Sequence, residues 1–237
     1  MMNEAAPEET EPPILIAVGD VHGRADLLDA LIDKAERKAK GRRCRFVLLG
    51  DYVDRGPDSR GVLDRLLALR ARRPDTILLK GNHEQGLLDF LAEPDQVDAW
   101  LSWGGRETLR SYGVAVGEQD EPRALRDRFA EALPDEHFAL LMSLPLTYEV
   151  PGYLFVHAGL HPDRPIEAQR ERDLLWVRRA WLEGGKDRFE PVVVHGHTPV
   201  DRPENLSWRV NVDTGAVWSS RLSALWLERG RRRFLNT

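Results

Sequence analysis

A chain of 237 residues with 42% hydrophobic and 31% charged side chains has room for one large domain or two small ones and the make-up of an ordinary globular protein. Its formal net charge of -5 excludes a general electrostatic attraction to nucleic acid or to a membrane surface, so any anion site must be local. The single cysteine, Cys44, excludes an internal disulfide and points to a reducing compartment.

Residues 1–13 are rich in Glu, Ala and Pro with no basic stretch leading into an apolar one, and are expected to form a disordered tail rather than a signal peptide or membrane anchor. No later apolar run approaches the roughly 18 residues of a membrane span, so a cytoplasmic location is expected. Residues 14–237 read as one domain. Ile14 to Val18 is a continuous apolar run, the mark of a strand buried on both faces, and it ends in Gly19-Asp20-Val21-His22-Gly23. Leu27, Leu28, Leu31, Ile32 and Ala35 recur at helical spacing through about Lys40. A second strand, Phe46 to Leu49, preceded by Cys44 as a packing residue, ends in Gly50-Asp51-Tyr52-Val53-Asp54-Arg55-Gly56. Val62, Leu63, Leu66, Leu67 and Arg70 mark another helix, and Thr76 to Leu79 a third strand that ends in Gly81-Asn82-His83-Glu84. This is a βαβαβ pattern, whose right-handed crossovers place the three polar loops on one edge of the sheet. The stretch from about Gln85 to Leu144 is mainly helical, carries Trp100, Trp103 and the turn Gly104-Gly105, and is expected to cover the site as a cap. Strands resume at Tyr153 to Val156, Val192 to Val194, Trp208 to Val212 and Leu222 to Leu227. The first two end in His157-Ala158-Gly159 and His195-Gly196-His197-Thr198-Pro199. Two sheets with helices outside follow.

Taken singly, Gly-Asp and Gly-Asn are ordinary turn dipeptides. Yet Asp20, His22, Asp51, Asp54, Asn82, His83, His157, His195 and His197 all follow directly on apolar strands, and that joint placement points to chemistry. Oxygen and imidazole donors without thiolate suit manganese, iron, zinc or cobalt, and a carboxylate such as Asp51 could bridge two ions roughly 3.5 to 4 Å apart. Two cations sharing one water would hold it as hydroxide near neutral pH, clamp phosphoryl oxygens and offset negative charge during an in-line displacement.

The three opening motifs, Gly-Asp-x-His-Gly, Gly-Asp-x-Val-Asp-Arg-Gly and Gly-Asn-His-Glu, are intact here and resemble the phosphoprotein phosphatase branch of the calcineurin-like metallophosphoesterases. The resemblance continues through Val156-His157-Ala158-Gly159, Leu175-Trp176-Val177-Arg178, Gly196-His197-Thr198-Pro199 and Val212-Asp213-Thr214-Gly215-Ala216-Val217, and covers about residues 14 to 227. It implies an α/β fold, a four-layer sandwich of two mixed β-sheets flanked by helices, with a helical cap segment at about 85–144. It also implies Asp20 and His22 on a first metal, Asp51 bridging, and Asn82, His157 and His197 on a second. By the same resemblance His83 is the general acid, Asp54 orients its imidazole, and Arg55 and Arg178 grip the phosphate, with Asn82 beside them. The implied activity is that of a bacterial, lambda-phosphatase-like serine/threonine protein phosphatase, acting on phosphorylated proteins or peptides with two divalent ions, manganese foremost. Enzymes that cleave diadenosine tetraphosphate share the same three motifs, so a nucleotide substrate is the alternative; Leu175-Trp176-Val177-Arg178 and Gly196-His197-Thr198-Pro199 favour the phosphatase. A non-catalytic binding module is disfavoured, because every ligand and the acid are present.

Other polar residues take blander readings. His195 supports the site as a neighbouring donor or packed side chain, His137 and His161 are surface or core residues, and Asp213 forms a turn outside the site. The Trp100–Trp103 segment, where bacterial relatives commonly have Asn at the second position, is either a core helix or a substrate-facing wall. Arg229, Arg231, Arg232 and Arg233 form a solvated face with no nucleic-acid role. Nothing in the sequence specifies an oligomeric state.

Overall fold

Ile14, Ile16 and Val18 pack on one side of the first strand and Leu15 and Ala17 on the other, and all five are buried. A strand buried on both faces needs cover above and below. In the computed structural model, which describes residues 12–117 and 119–237, that cover comes from helices on one side and a second sheet on the other. Residues 1–11 of the expected tail lie outside the described residues.

The first sheet runs in the order β10 (Arg231–Asn236), β9 (Ser223–Glu228), β1 (Ile14–Val18), β2 (Cys44–Leu48) and β3 (Ile77–Leu78). Strands β1, β2 and β3 are parallel, while β9 is antiparallel to both β1 and β10. The second sheet runs β4 (Thr147–Val150), β5 (Tyr153–Val156), β6 (Val192–His195), β8 (Arg209–Asn211) and β7 (Glu204–Asn205), parallel through β5, β6 and β8 and antiparallel at both edges. Between the sheets lies one apolar layer, with Leu15, Ala17, Val47, Leu49 and Leu225 from the first and Phe155, Val194, Val210 and Val212 from the second. The outer face of the first sheet receives Leu28 and Leu31 of α1 (Ala25–Ala39) and Val62, Leu63 and Leu66 of α2 (Ser59–Arg72). On the outer face of the second, Leu154, Val156 and Val193 pack with Leu174 and Trp181. These come from α8 (Glu171–Trp176) and α9 (Arg179–Gly184). Each such aliphatic side chain, fully buried, contributes about 1.5 to 3 kcal/mol. The result is the four-layer α/β sandwich of two mixed sheets expected from the sequence.

Between β3 and β4 the chain makes a helical excursion. It comprises α3 (Asn82–Ala92), α4 (Val97–Trp100), a wide π turn at Leu101–Gly105, α5 (Arg106–Ser111), α6 (Pro122–Ala132) and α7 (Asp135–Met142). Phe90 stacks on Trp100 with ring centroids 4.8 Å apart, and Phe129 packs against both, which joins the excursion to the core under α1 and α2. Some boundaries shift from the sequence reading. Strand β3 has two residues where four were expected, and His195 is the last residue of β6 rather than a loop residue. The arginines at 231–233 form part of the edge strand β10, solvated on one side as expected but hydrogen-bonded to β9 on the other. Among the described residues no helix is long and apolar enough to cross a membrane.

Candidate metal centre

The parallel strands of both sheets deliver their following loops to one edge of the sandwich. Gly50 (φ 103°) lies so close to the next loop that a Cβ would sit 2.5 Å from the Gly81 nitrogen, which explains glycine there and brings the β2 and β3 loops into contact. Buried Glu84 locks that contact. Its Oε2 accepts the N–H groups of Asp51 at 2.8 Å and Gly81 at 2.9 Å, and its Oε1 those of Tyr52 at 2.7 Å and Val53 at 3.2 Å. The strand-end turns are sharp: His22, Asp51, Asp54, Arg55 and His197 all take left-handed backbone conformations, φ 45–70°. For His and Arg these are uncommon and costly, and such residues cluster where the fold over-determines a functional arrangement.

Asp51 stands at the centre. Its Oδ2 lies 3.5 Å from His22 Nε2 and 3.9 Å from His83 Nε2, while its Oδ1 lies 3.4 Å from His157 Nε2. Two donor groups therefore share this carboxylate: His22, Asp51 and His83 on one side, and Asp51, His157 and His197 on the other, each with atoms within 4.8 Å of one another. Asn82 Oδ1 joins the second group, 2.9 Å from His157 Nε2, which is itself 3.1 Å from His197 Nδ1. Asp20 lies beside both groups and accepts the backbone N–H of His197 at 3.2 and 3.0 Å. The first group thus holds His83 beside the expected His22 and Asp51, with Asp20 adjacent to it.

The donor set fits divalent cations. His22 Nδ1 donates to the Val53 carbonyl and His157 Nδ1 to the Leu49 carbonyl, each at 2.9 Å, which leaves both Nε2 lone pairs turned inward. Burial holds these imidazoles neutral, the form a metal requires, with His22 down to about 3 and His197 to about 2. His157 is lowered as well, again by burial. Burial alone would raise Asp51, but His157, His83, His22 and His197 around it reverse this and hold it below the usual carboxylate range. Burial, with Asp213 and Asp51 close by, pushes Asp20 well up. Lone pairs and carboxylates converging in a dry place, with His197 Nε2 unpartnered, are a cation-binding arrangement of nitrogen and oxygen donors.

Beside the first group His83 Nδ1 meets Asp54 Oδ2 at 2.7 Å. Asp54 is fully buried and also accepts from Thr108 Oγ1 at 2.6 Å and Trp100 Nε1 at 3.0 Å. Burial would lower His83, yet Asp51 and the bond to Asp54 outweigh it and raise it. Arg55 reaches across the opening, its guanidinium nitrogens 2.6 Å from His22 Nε2 and 2.8 Å from His83 Nε2, and it lies over the exposed ring of Trp218 at 5.3 Å. Trp103 and Trp176 meet edge to face at 5.1 Å above His83 and His197, so Trp103 belongs to the wall of the site and buried Trp100 to the core. Arg178 is exposed at the mouth, where its charge helps lower His157 and His197.

The structure gathers nine of the ten candidate residues into one constellation, eight of them buried and Arg55 half-buried, with Arg178 exposed at its rim. The sequence reading gave no role to Glu84, although it closes the third motif, or to Thr108, and took Trp100 only as core or substrate-facing; the contacts of the last two to Asp54 depend on how the chain folds around the turn at Gly104-Gly105. Asp213 does form the expected turn, accepting from Gly215 N at 2.8 Å, but it is also buried next to Asp20 and raised to about 6 by burial. His195 packs against Trp181 with Nδ1 on its neighbour's carbonyl, as a supporting residue would. His137 is a core residue bonded to Tyr112 and Asp64, and His161 serves a surface turn.

A family model described as calcineurin-like phosphoesterase matches residues 14–223. Among curated proteins the chain is 32% identical over 224 residues to serine/threonine-protein phosphatase 1 of Salmonella typhimurium, covering 87% of this chain and 88% of that one. It is 29% identical over 233 residues to the asymmetrical bis(5'-nucleosyl)-tetraphosphatase PrpE of Halalkalibacterium halodurans, covering 88% of this chain and 87% of that one. A solved mutant of a cold-active protein tyrosine phosphatase superposes with a TM-score of 0.66 at 18% identity over 95% of this chain and 80% of that one, a likeness of fold.

Proposed function

The chain belongs to the calcineurin-like phosphoesterases, and from that premise we propose that it is a protein phosphatase releasing phosphate from serine and threonine side chains. The observation that carries the two-ion phosphoesterase part of this reading is the two-sided environment of Asp51, whose oxygens face separate donor groups, and the serine/threonine part leans on the likeness to serine/threonine-protein phosphatase 1. Asp20, His22 and Asp51 would hold one divalent ion and Asp51, Asn82, His157 and His197 a second, with manganese the expected metal. Bound there, the pair supplies an acidified water near neutral pH and positive charge against the phosphoryl oxygens.

The rest falls to side chains. The guanidinium forks of Arg55 and Arg178 match phosphate oxygens and fix the ester in line, helped by the Asn82 amide. His83 gives the proton from Nε2 to the departing alkoxide, while Asp54 fixes the ring through Nδ1. The helices of residues 85–144 act as a cap that supplies the Trp103 side of the mouth, and the protein works in the cytoplasm.

A second reading, hydrolysis of dinucleoside tetraphosphates, is supported by the names of relatives that align over as much of the chain. Both substrates carry a phosphoryl group that the same centre could accept, a terminal monoester in the phosphopeptide and an internal anhydride-linked phosphate in the dinucleotide. With manganese added, specificity constants for a phosphopeptide panel and for diadenosine tetraphosphate, measured side by side, separate the two. We expect the phosphopeptides to lead, and a large preference for the dinucleotide would replace the first reading with the second.

A further inference from the structure

We propose that Thr108 and Trp100 are positioning residues for the Asp54–His83 pair, so that the turn from Trp100 to Thr108 governs how well the proton reaches the leaving group. The inference rests on the reading of His83 as general acid. Asp54 has a left-handed backbone (φ 70°), and its buried carboxylate has no access to water. Its orientation is therefore set wholly by its donors. Oδ2 takes His83 Nδ1 at 2.7 Å and Trp100 Nε1 at 3.0 Å, and Oδ1 takes the Thr108 hydroxyl at 2.6 Å.

The Thr108 hydroxyl is fully used. Its one proton goes to Asp54 Oδ1, and its lone pairs face the Asp54 N–H at 2.9 Å and Ser59 Oγ at 2.9 Å. It thus holds both ends of the same aspartate. The indole of Trp100 donates only, and its ring is pinned against Phe90. The intervening turn also holds the next residue: the Arg55 N–H donates to the Gly104 carbonyl at 3.1 Å and Arg55 Nε to the Trp103 carbonyl at 3.3 Å. A hydroxyl and an indole from the helical excursion therefore fix the plane in which Asp54 presents oxygen to the imidazole. Without the hydroxyl, Oδ1 is a buried acceptor short of its donor and the carboxylate can rotate away from His83.

The test uses manganese-loaded protein and a series of phenyl phosphates from p-nitro, which leaves with little proton help, to p-methoxy, which needs it. In Thr108→Val, kcat should fall about tenfold on the p-methoxy ester and about twofold or less on the p-nitro ester with KM unchanged. Thr108→Ser should restore it, and Trp100→Phe, which keeps the stack and drops the donor, should follow Thr108→Val. A readout free of turnover is the low-field proton resonance of His83 Nδ1–H in the metal-free protein, which should shift in both deletion variants and not in Thr108→Ser. His83→Asn is the reference. If it steepens the leaving-group dependence while Thr108→Val and Trp100→Phe lower all esters equally or none, the positioning role is overturned. If His83→Asn itself leaves the dependence flat, the acid assignment falls, and the inference with it.

Discussion

At Asp51 a left-handed backbone (φ 54°) turns one carboxylate so that each oxygen serves a different set of imidazoles. An amide cannot do this, since only one of its two heavy atoms accepts. Asp51→Asn should therefore drop bound manganese from two ions per chain to one or fewer and reduce turnover by about 10²-fold or more, by metal analysis alongside kinetics. The residues around it also set a pH dependence. Burial keeps His22 and His197 neutral down to about 3 and about 2, so protons do not compete for those nitrogens near neutrality. The carboxyl groups behave oppositely: Asp20 is raised and Asp213 reaches about 6, so both take up protons as the solution is acidified. Metal affinity should weaken as the solution is acidified and Asp20 takes up its proton, by up to about tenfold per unit for one competing proton, in manganese titrations at a series of pH values. Flat affinity from pH 7.5 to 5 would remove the carboxylates from the competition. The candidate ligands stood out in the sequence because each follows an apolar run. Thr108 and Trp100 did not, because their contacts to Asp54 span 54 and 46 positions and exist only once the π turn has formed.

Among the elements, the parallel strands were the most readable. Ile14 to Val18 and Tyr153 to Val156 are apolar on both faces because both faces are covered. The edges were harder. Strand β4 is half-exposed, β7 has two residues, and β10 presents arginines that resist further pairing, so none carries a buried-strand pattern. The loops gain their rigidity from Glu84, whose carboxylate takes four backbone N–H groups from two strand ends. In Glu84→Gln the amide nitrogen faces donors that it cannot accept. We expect a loss of about 1 to 3 kcal/mol in urea unfolding together with weaker manganese binding. Unchanged stability would mean that the loops hold their shape by backbone packing alone.

On the scale of the whole chain, the two sheets meet through one apolar layer and share one cluster of donors. Asp20, His22, Asp51 and Asn82 follow strands of the first sheet, and His157 and His197 follow strands of the second. Ions bound between them favour the folded chain by mass action. At a hundredfold excess over the dissociation constant, manganese should add about 2.7 kcal/mol, seen as a rise in Tm that a chelator reverses. An unmoved Tm would argue that the centre is not formed at the sheet junction.

Because the donors are divided between two slabs of structure, occupancy of the centre doubles as a gauge of how the slabs are seated. Leu225, buried in β9, a strand whose ends carry none of the proposed ligands, but in the layer that seats one slab on the other, offers the handle. Shaving it to alanine should loosen the cation clasp at the rim, so the ions would report on a distant flaw in the interior before the chain as a whole gives way.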